Sequence, residues 1–460
     1  FNETGLASVQ GGEHRQAEAL VKKLTFCWSR NGIGYFWYDL RNDGYDAKDH
    51  EHTYGMMTTD YYPKAVYPTY ANLTRQLKGA SYVSQLQIAE GIWAFVFATA
   101  EGHCLTWWGE PGVGSQDILL QTNASSAVAI DIMGNEKELP LRNGSLTAQV
   151  TEVPAYVKLI GSTHAPVAGG RLIRLASHPY AMPEEPLEVK LIVANPFDSA
   201  QEVAVSLGSL HQTAQVPAHG EATAAFALEA AQISDTLTAT AHFPATDIHA
   251  SLEVPVTRVR LVANGSGENP DFSIPDTDGA VIDLAAADPN SQHLLWQGTQ
   301  DLSARAWIWH ADGTLRIRIL ATDDYHVQNE QASTIWRADS VQMGLTAPGM
   351  KGYWELGFAL GNGGQPLITS WASPLGRADL PASVQANVTR QGTTTNYDLT
   401  IPLADLGFVP DQDGILKLDF SFLINESDRG SREGWIELTQ GIGQGKDPSL
   451  FMPLVIRTRP

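Results

Sequence analysis

The first 80 residues contain two helical patterns and one short aromatic strand, and this small set of elements most constrains the fold. Residues 13–28 repeat apolar side chains at helical spacing before two glycines end the pattern. Residues 35–40 are typical of a strand buried on both faces, and a second helix is predicted over residues 63–78. Two such units can neither close a parallel barrel nor cover both faces of a sheet. We therefore expect the missing units in sequence upstream of Phe1 or in a separate chain.

From residue 81 onward, short strand patterns replace the helices, with turn residues between them. We predict an antiparallel β-sandwich over residues 81–164 and an immunoglobulin-like sandwich over residues 165–262. Residues 161–170 are rich in Gly, Pro and Ser and mark the boundary between them. Residues 261–270 are interpreted as a linker to a third β-rich module over residues 271–460.

The charge of the chain is strongly negative and unevenly distributed. The net charge is −21; residues 1–80 hold nine Lys/Arg and nine Asp/Glu, whereas residues 265–460 hold 13 Lys/Arg and 24 Asp/Glu. Such a surface repels phosphate backbones, which argues against nucleic acid as a partner. No apolar run reaches the length of about 18–20 residues that a membrane span needs.

The two cysteines, Cys27 and Cys104, each lie in an apolar or aromatic stretch. Their number and spacing fit neither a disulfide framework nor a zinc site. We interpret both as buried free thiols, with a single bridge between them as the alternative.

One acidic residue near the start of the chain is a candidate for catalysis. Glu3 stands directly before Thr4-Gly5 and a loop that leads to the first helix. A carboxylate at the end of a barrel strand is well placed for nucleophilic or acid–base work. The alternative is an ordinary exposed glutamate, which spacing alone favours.

Further candidates lie on the aromatic strand and in the loop after it. Trp37 and Tyr38 are either a floor under a sugar ring or core aromatics, and for Phe36 we favour the core. The following loop is crowded with Asp and His residues, among them Asp39 and His52. A polar rim above an active site, or caps for the helix that follows, explains this loop better than a metal centre does.

Acidic loops in the third module are candidates for a structural calcium ion, because hard oxygen ligands cluster there. The pairs are Asp276 with Asp278 and Asp323 with Asp324. Solvated acidic loops are the alternative. The module is also rich in tryptophan, which is either a platform for carbohydrate or a Trp-rich core.

The order of motifs in residues 1–80 resembles the end of clan A glycoside-hydrolase barrels. Those enzymes end strand seven with a nucleophile in an Asn-Glu-x-Gly context, which residues 2–5 match, and strand eight with an aromatic run like residues 35–39. Residues 51–56 and 62–70 are similar to the loop and the Pro-Lys helix that follow. The resemblance implies Glu3 as the nucleophile and Trp37, Tyr38, Asp39 and His52 as substrate-binding residues. The acid/base carboxylate of strand four has no counterpart in this chain.

The rest of the chain resembles modules that often accompany such barrels. Residues 131–135 and 154–157 are similar to a signature of the sandwich that follows the barrel. Residues 312–317, 336–342 and 425–430 are among the stretches that resemble family 9 carbohydrate-binding modules, which can bind sugar ends and structural calcium. The fold class that this implies is a mainly β multidomain protein: the last two β/α units of a TIM barrel, covering residues 1–80, followed by three β-sandwich modules.

The function implied by the resemblance is that of the C-terminal portion of a retaining β-glycoside hydrolase. It would act on a poly- or oligosaccharide and would need for activity the missing N-terminal barrel, expected either upstream in the same polypeptide or as a separate chain. No cofactor is expected for catalysis, and a bacterial-type secreted, periplasmic or cell-surface location is expected. The rival hypothesis is a non-catalytic carbohydrate-binding or scaffolding protein, and a β-elimination lyase is a third.

Overall fold

The structure, a computed structural model, describes residues 4–283, 296, 298–376, 379–428, 432–443 and 445–458. Its chain divides into two compact units. The first unit comprises Phe1–Pro179 and Pro186–Val256, and the second comprises Tyr180–Glu185 and Thr257–Pro460. Both are built mainly of β-strands, which confirms the mainly β class expected from sequence.

The first unit opens with two α-helices, α1 (Gly12–Ser29) and α2 (Val66–Leu77), close to their predicted bounds. Short 3₁₀ turns occupy Ser8–Gln10 and Glu51–Thr53. The predicted strand over residues 35–40 is wrong, because among the described residues its pairing is an isolated parallel bridge between Thr4 and Trp37. Phe36 is 66% exposed and Leu40 is 59% exposed, so neither is core. A barrel remnant is therefore not shown by this segment.

Eight strands follow the helices and form most of a sandwich, listed in chain order: β1 (Ser81–Gln85), β2 (Ile92–Thr99), β3 (Gly102–Gly109), β4 (Gln116–Gln121), β5 (Ser126–Ile130), β6 (Glu136–Leu139), β7 (Ser145–Val150) and β8 (Ala155–Ile160). One sheet has the order β1-β2-β3-β8-β5-β6, and β4 and β7 belong to the sheet that faces it. Val96, Leu105 and Ile118 lie in the core between the sheets.

The outer face of the six-stranded sheet is covered by the helices. Phe95 and Phe97 of β2 pack there with Val21 of α1 and Leu73 of α2. Both faces of β2 are thus buried, which explains why its sequence is an unbroken apolar run rather than an alternating one.

Part of the second β region of the unit extends the sheet that contains β4 and β7. Its strands, with β11 assigned to the other unit, are β9 (Val167–Arg171), β10 (Ile173–Leu175), β11 (Tyr180–Ala181), β12 (Leu187–Ala194), β13 (Gln201–Leu207), β14 (Leu210–Val216), β15 (Glu221–Leu228), β16 (Thr236–Phe243) and β17 (Ile248–Pro255). A 3₁₀ turn spans Ala230–Gln232. One sheet has the order β10-β12-β15; the other runs β14-β13-β16-β17-β4-β7, with β9 also on β4. Residues 161–170, predicted to mark a boundary, contain most of β9.

The second unit is a β-sandwich with one large apolar core. Its remaining strands are β18 (Thr257–Arg258), β19 (Arg260–Asn264), β20 (Phe272–Ile274), β21 (Val281–Asp283), β22 (Leu302–Ala311), β23 (Thr314–Asp323), β24 (Ser340–Thr346), β25 (Trp354–Leu360), β26 (Pro366–Ala372), β27 (Gln385–Gln391), β28 (Thr394–Pro402), β29 (Ile415–Glu426), β30 (Gly434–Glu437) and β31 (Met452–Arg457). Short 3₁₀ helices span Ala332–Arg337 and Pro448–Leu450.

Two groups of strands in this unit are joined through β19. The main path runs β26-β25-β24-β29-β31-β19-β22-β23-β28-β27, and β19 pairs in parallel with both β31 and β22. Residues 261–264, predicted as linker, are therefore strand. Alternation of apolar and polar residues in β23 sets its inward face, since Leu315, Ile317 and Ile319 are buried in the core.

Two further sequence expectations can be compared with the described residues. Cys27 and Cys104 are both buried free cysteines, as predicted. Among the helices in the described part of the chain, none combines the length and the apolar character needed to cross a membrane.

Candidate functional site

The segment that carries the predicted sugar platform is fixed by two backbone hydrogen bonds. The amide of Thr4 donates to the carbonyl of Phe36 over 3.2 Å, and the amide of Tyr38 donates to the carbonyl of Thr4 over 2.8 Å. These bonds place Thr4 beside Trp37 in parallel orientation. Glu3, the predicted nucleophile, lies outside the described residues.

Trp37 lies partly buried against the helices. Its ring packs on the small cluster that includes Leu20 of α1 and Val66 of α2. The Lys23 ammonium lies 5.9 Å from the ring centre. The position of Trp37 is therefore at the edge of a core, with part of its surface accessible.

Tyr38 and Asp39 share an acidic neighbour. The hydroxyl of Tyr38 donates to a carboxylate oxygen of Asp43 over 2.8 Å, which raises the pKa of Tyr38 to about 12. Burial, and then the charge of Asp43, raise the pKa of the Asp39 carboxyl above its usual value. This carboxylate-rich surface suits a partner that brings hydroxyl donors.

His52 lines a polar pocket together with Asn42, Asp60 and Lys64. The buried Lys64 ammonium donates to the hydroxyl of Ser8 and to the carbonyl of Thr53, each over 3.0 Å. Burial lowers the pKa of Lys64. Sequence reasoning placed Lys64 in a family-like motif, and its role in tying these loops together follows from the contacts.

A second candidate site lies on the face of the second unit that points away from its apolar core. Five polar side chains on neighbouring strands are buried there: Ser340, Gln342, Glu355, Asn425 and Glu437. The amide group of Gln342 donates to the Asn425 side chain over 3.3 Å, and Asn425 donates to the Ser340 hydroxyl over 2.9 Å. Buried polar groups of this kind are retained when they are hydrogen-bonded, and they orient a ligand well. We call these five residues the polar floor.

The segment before β31 brings a cation and two backbone amides to the polar floor. The Lys446 ammonium lies 2.5 Å from a carboxylate oxygen of Glu355 and 3.5 Å from the side-chain oxygen of Gln342. The Glu437 carboxylate accepts hydrogen bonds from the amide of Ile442, over 2.6 Å, and from that of Gly443. Both signs of charge are thus available at the floor.

Two tryptophans stand beside the polar floor. Trp435 lies on β30 next to Glu437, and its indole N–H donates to that carboxylate over 3.2 Å. Trp336 lies in the 3₁₀ helix that precedes β24. The guanidinium carbon of Arg432 is 4.3 Å from the ring centre of Trp435 and 5.7 Å from that of Trp336. The two rings are therefore within reach of one small ligand, and neither is fully buried.

A third candidate site is a group of acidic side chains around Glu426, the last residue of β29. Carboxylate oxygens of Asp323, Glu426 and Asp428 lie within 4.8 Å of one another, and Asp428 forms a similar group with Asp301 and Asp324. Both carboxylate oxygens of Glu426 are buried and accept no hydrogen bond from the described residues. Burial and the surrounding negative charges raise the pKa of Glu426 to about 11.

This acidic group has the chemistry of a calcium site. An uncompensated buried carboxylate is costly, whereas a hard divalent cation accepts six to eight oxygen ligands. On its other side Asp323 faces two cationic partners, with His326 Nδ1 3.7 Å and Arg390 Nη1 3.2 Å from its carboxylate oxygen. Asp323 is therefore partly neutralised by these two side chains.

The structure places two of the four predicted calcium ligands in the acidic group and two outside it. Asp323 and Asp324 lie in the acidic group, whereas Asp276 and Asp278 are exposed and belong to no potential ligand group among the described residues. Sequence reasoning named residues 425–430 as a family-like stretch but did not single out Glu426 and Asp428 as acidic candidates. The signal was present as two acidic residues at the end of a long strand, Glu426 its last residue and Asp428 just beyond it.

Comparison with known proteins gives structural likenesses. No protein-family model matches the chain, and no curated protein does. A family 39 glycoside hydrolase from Bacteroides cellulosilyticus is 25% identical, with a TM-score of 0.32; the match covers 34% of this chain and 33% of that one. This chain thus spans about a third of the length of that hydrolase.

A family 9 carbohydrate-binding module from Caldicellulosiruptor kristjanssonii is also similar. Its complex with glucose is 17% identical, with a TM-score of 0.29, and the match covers 44% of this chain and 96% of the module. Its complex with cellotriose gives a TM-score of 0.30 at the same identity, with 94% of the module covered.

Proposed function

We propose that the second unit binds a carbohydrate between Trp336 and Trp435. The observation that carries the proposal is that both rings lie within 6 Å of the Arg432 guanidinium beside a buried polar floor. A pyranose has an apolar C–H face and a rim of hydroxyls. It therefore matches aromatic walls and hydrogen-bonding groups in the same cleft.

The polar floor would select among sugars by its hydrogen bonds. Gln342 and Asn425 offer amide donors and acceptors, and Glu355 and Glu437 accept from hydroxyl groups. A ligand that leaves one of these buried groups unpaired loses affinity, because the desolvation cost of that group is then not recovered. The floor thus favours a ligand with several adjacent hydroxyls.

Calorimetric titration of the full chain with a panel of soluble oligosaccharides, cellotriose among them, tests this proposal. Trp435→Ala is expected to weaken binding at least tenfold, about 1.4 kcal/mol, because it removes one wall of the cleft. Trp309→Ala is the matched control. Trp309 lies on β22 opposite Arg316 of β23 and is not part of the cleft. Equal effects of the two substitutions would reject this cleft. Failure of the wild-type chain to bind any glycan would reject the function.

We also propose that the acidic group around Glu426 holds a structural calcium ion. Asp323, Asp324 and Asp428 would share it with Glu426, and Asp301 borders the same space. What supports the assignment is the all-oxygen donor set and the orphaned Glu426 carboxylate. The ion would supply charge balance and would hold the end of β29 beside the loop after β23.

A second candidate function is catalytic, and the parallel bridge of Thr4 to Trp37 favours it. The bridge joins two segments in parallel with α1 between them, which is how neighbouring strands of a barrel are connected, although neither segment forms a strand among the described residues. The chain would then be the C-terminal portion of a retaining β-glycoside hydrolase, with Glu3 as nucleophile, Trp37, Tyr38, Asp39 and His52 contacting the sugar, and an upstream barrel portion completing the site. A secreted or cell-surface location suits such an enzyme.

Hydrolysis of aryl glycosides by a protein in which the remaining barrel units are supplied ahead of this chain tests the catalytic role. Glu3→Gln is expected to lower the turnover rate by several orders of magnitude. Added azide is expected to restore turnover with formation of a glycosyl azide. Trp309→Ala serves as the control with unchanged turnover. Near-normal activity of the Glu3→Gln enzyme would refute the nucleophile assignment.

A further inference from the structure

The hairpin of β16 and β17 in the first unit places two imidazoles directly opposite each other. His242 and His249 are cross-strand partners, and their rings are stacked with 3.9 Å between centroids and 6° between planes. Their neighbours along each strand, Ala241 and Ala250 among them, are buried in the core. Both imidazoles therefore project from the opposite, solvent-facing side of the sheet.

The turn of the same hairpin adds a carboxylate to this pair. Asp247 precedes β17 by one residue and has a φ of 53°. Its Oδ1 atom lies 3.6 Å from His249 Nε2 and 3.9 Å from His242 Nε2. Its Oδ2 atom accepts a hydrogen bond from Arg142 Nε over 3.1 Å. The guanidinium thus orients the carboxylate so that its other oxygen faces the two rings.

We propose that His242, Asp247 and His249 form a binding site for a divalent transition metal of the zinc class. Each residue offers one ligand atom, and these atoms all lie within 4.8 Å of one another. Ligand atoms around a tetrahedral zinc ion, bound at about 2.0–2.2 Å, are separated by about 3.3 Å. The side chains of His242, Asp247 and His249 are 37%, 60% and 66% exposed. Small rotations of these side chains can therefore bring their ligand atoms to the shorter separation that zinc requires.

A second observation points to a ligand at the same place. The Nε2 atom of His242 is itself buried, although the residue is not, and no described hydrogen-bond partner contacts it. The atom faces Asp247 Oδ1, which is too far away for a hydrogen bond. A metal ion bound between the three side chains would give His242 Nε2 a partner and would also be bound by Asp247 and His249.

The donor set selects the class of metal. Two imidazole nitrogens and one carboxylate suit zinc, nickel or copper, whereas calcium and magnesium prefer all-oxygen sites. Arg142 holds the Oδ2 atom of Asp247, which leaves the Oδ1 atom of the same carboxylate directed at the two imidazoles and available as a ligand. The site is thereby chemically distinct from the acidic group around Glu426.

The test is calorimetric titration of Zn²⁺ alone into the full chain, freed of metal and then saturated with Ca²⁺. One binding event is expected, and His249→Ala should weaken it by more than tenfold, because the substitution removes one of three ligands. Loss of a residue that only hydrogen-bonds to a ligand already lowers metal affinity by about 10- to 100-fold. His219→Ala is the matched control, because that exposed imidazole pairs with Asp198 over 3.0 Å without a second histidine.

Cobalt provides a second readout that does not depend on the stability of one variant. Co²⁺ bound by nitrogen and oxygen ligands in the site is expected to give a visible absorption band that Zn²⁺ displaces. His242→Ala and His249→Ala should each remove this band, and His219→Ala should keep it. Absence of Zn²⁺ binding by the wild type, or an unchanged affinity in His249→Ala, would overturn the proposal.

Discussion

The segment between Thr4 and β1 and the sandwich of the second unit bury their aromatic residues very differently. In the segment, Phe36 is 66% exposed and Tyr62 is 70% exposed. In the sandwich, Phe420, Phe422 and Trp354 are completely buried within one core. The difference shows that aromatic content alone does not identify a core, whereas alternation with polar residues along a strand does.

The two regions are also held together by different interactions. The sandwich rests on a large apolar cluster drawn from most of its strands. The segment anchors its two helices by apolar packing, but its loops rely on backbone bridges, on the buried Lys64 ammonium and on glycines at close backbone approaches, such as Gly55 beside Asn42. We therefore expect the two regions to respond differently to the same kind of substitution.

The largest contrast is expected from two Phe→Ala substitutions. Phe422→Ala should destabilise the protein by about 3–5 kcal/mol, because it leaves a cavity in a closed core. Phe36→Ala should change stability by no more than about 0.5 kcal/mol, because its side chain is largely exposed. Calorimetric unfolding of both variants measures the difference. If Phe36→Ala costs as much as Phe422→Ala, the contrast between the regions is wrong.

The next effect concerns the acidic group of the sandwich. Without a cation, folding raises the pKa of Glu426 from 4.5 to about 11. Between these values the folded state holds a proton that the unfolded state has released, so stability falls as the pH rises. In EDTA the second unit should melt at a lower temperature at about pH 8.5 than at about pH 5.5. Calcium at 100 times its Kd should restore about 2.7 kcal/mol at the higher pH.

Two variants assign this effect to residues. Glu426→Gln removes the ionisation and is expected to weaken both the pH dependence and the response to calcium. Asp276→Asn is the matched control, since Asp276 is exposed and outside the acidic group. A melting temperature that calcium does not change in the wild type would exclude a structural ion here.

The smallest effect tests the close backbone approaches in the segment. A Cβ atom at Gly55 would meet backbone atoms of Asn42, Arg41 and Met57, none of which can rotate away. Gly55→Ala should therefore cost about 1–3 kcal/mol in a urea titration. At Gly363 in the sandwich a Cβ meets nothing within 4 Å, so Gly363→Ala should be neutral or slightly stabilising. Equal effects would show that the segment is not held by these approaches.

Much of the fold could be predicted because the relevant patterns are local. The α1 helix, β2 and the inward face of β23 follow from spacing within single elements. The interpretation of residues 35–40 failed because an aromatic run is compatible with burial but does not supply the neighbours that bury it. The linker predicted over residues 261–270 was wrong in part, and β9 within the predicted boundary stretch was not foreseen, because a strand needs its partner, and β9 and β19 find theirs far away in sequence.

The candidate sites likewise combine residues that the sequence indicated with residues that only the fold brings beside them. Sequence named Asp323, Asp324 and Trp37, but the acidic group also needs Asp301, Glu426 and Asp428, which come from different loops and strand ends. The polar floor combines residues from four strands, and the hairpin imidazoles meet only because β16 and β17 pair in one register. No periodicity within a single element encodes such convergence.

The sequence by itself determined the mainly β class, the two helices and the inward face of regular strands, and it favoured free over paired cysteines. Each depends on a short-range rule: helical spacing, period-two alternation or residue count. The tertiary structure alone decided which aromatics are buried, which carboxylates lose their solvent and which side chains share a cleft. Those properties depend on contacts between residues distant in the chain, and it is these contacts that set burial, pKa and ligand geometry.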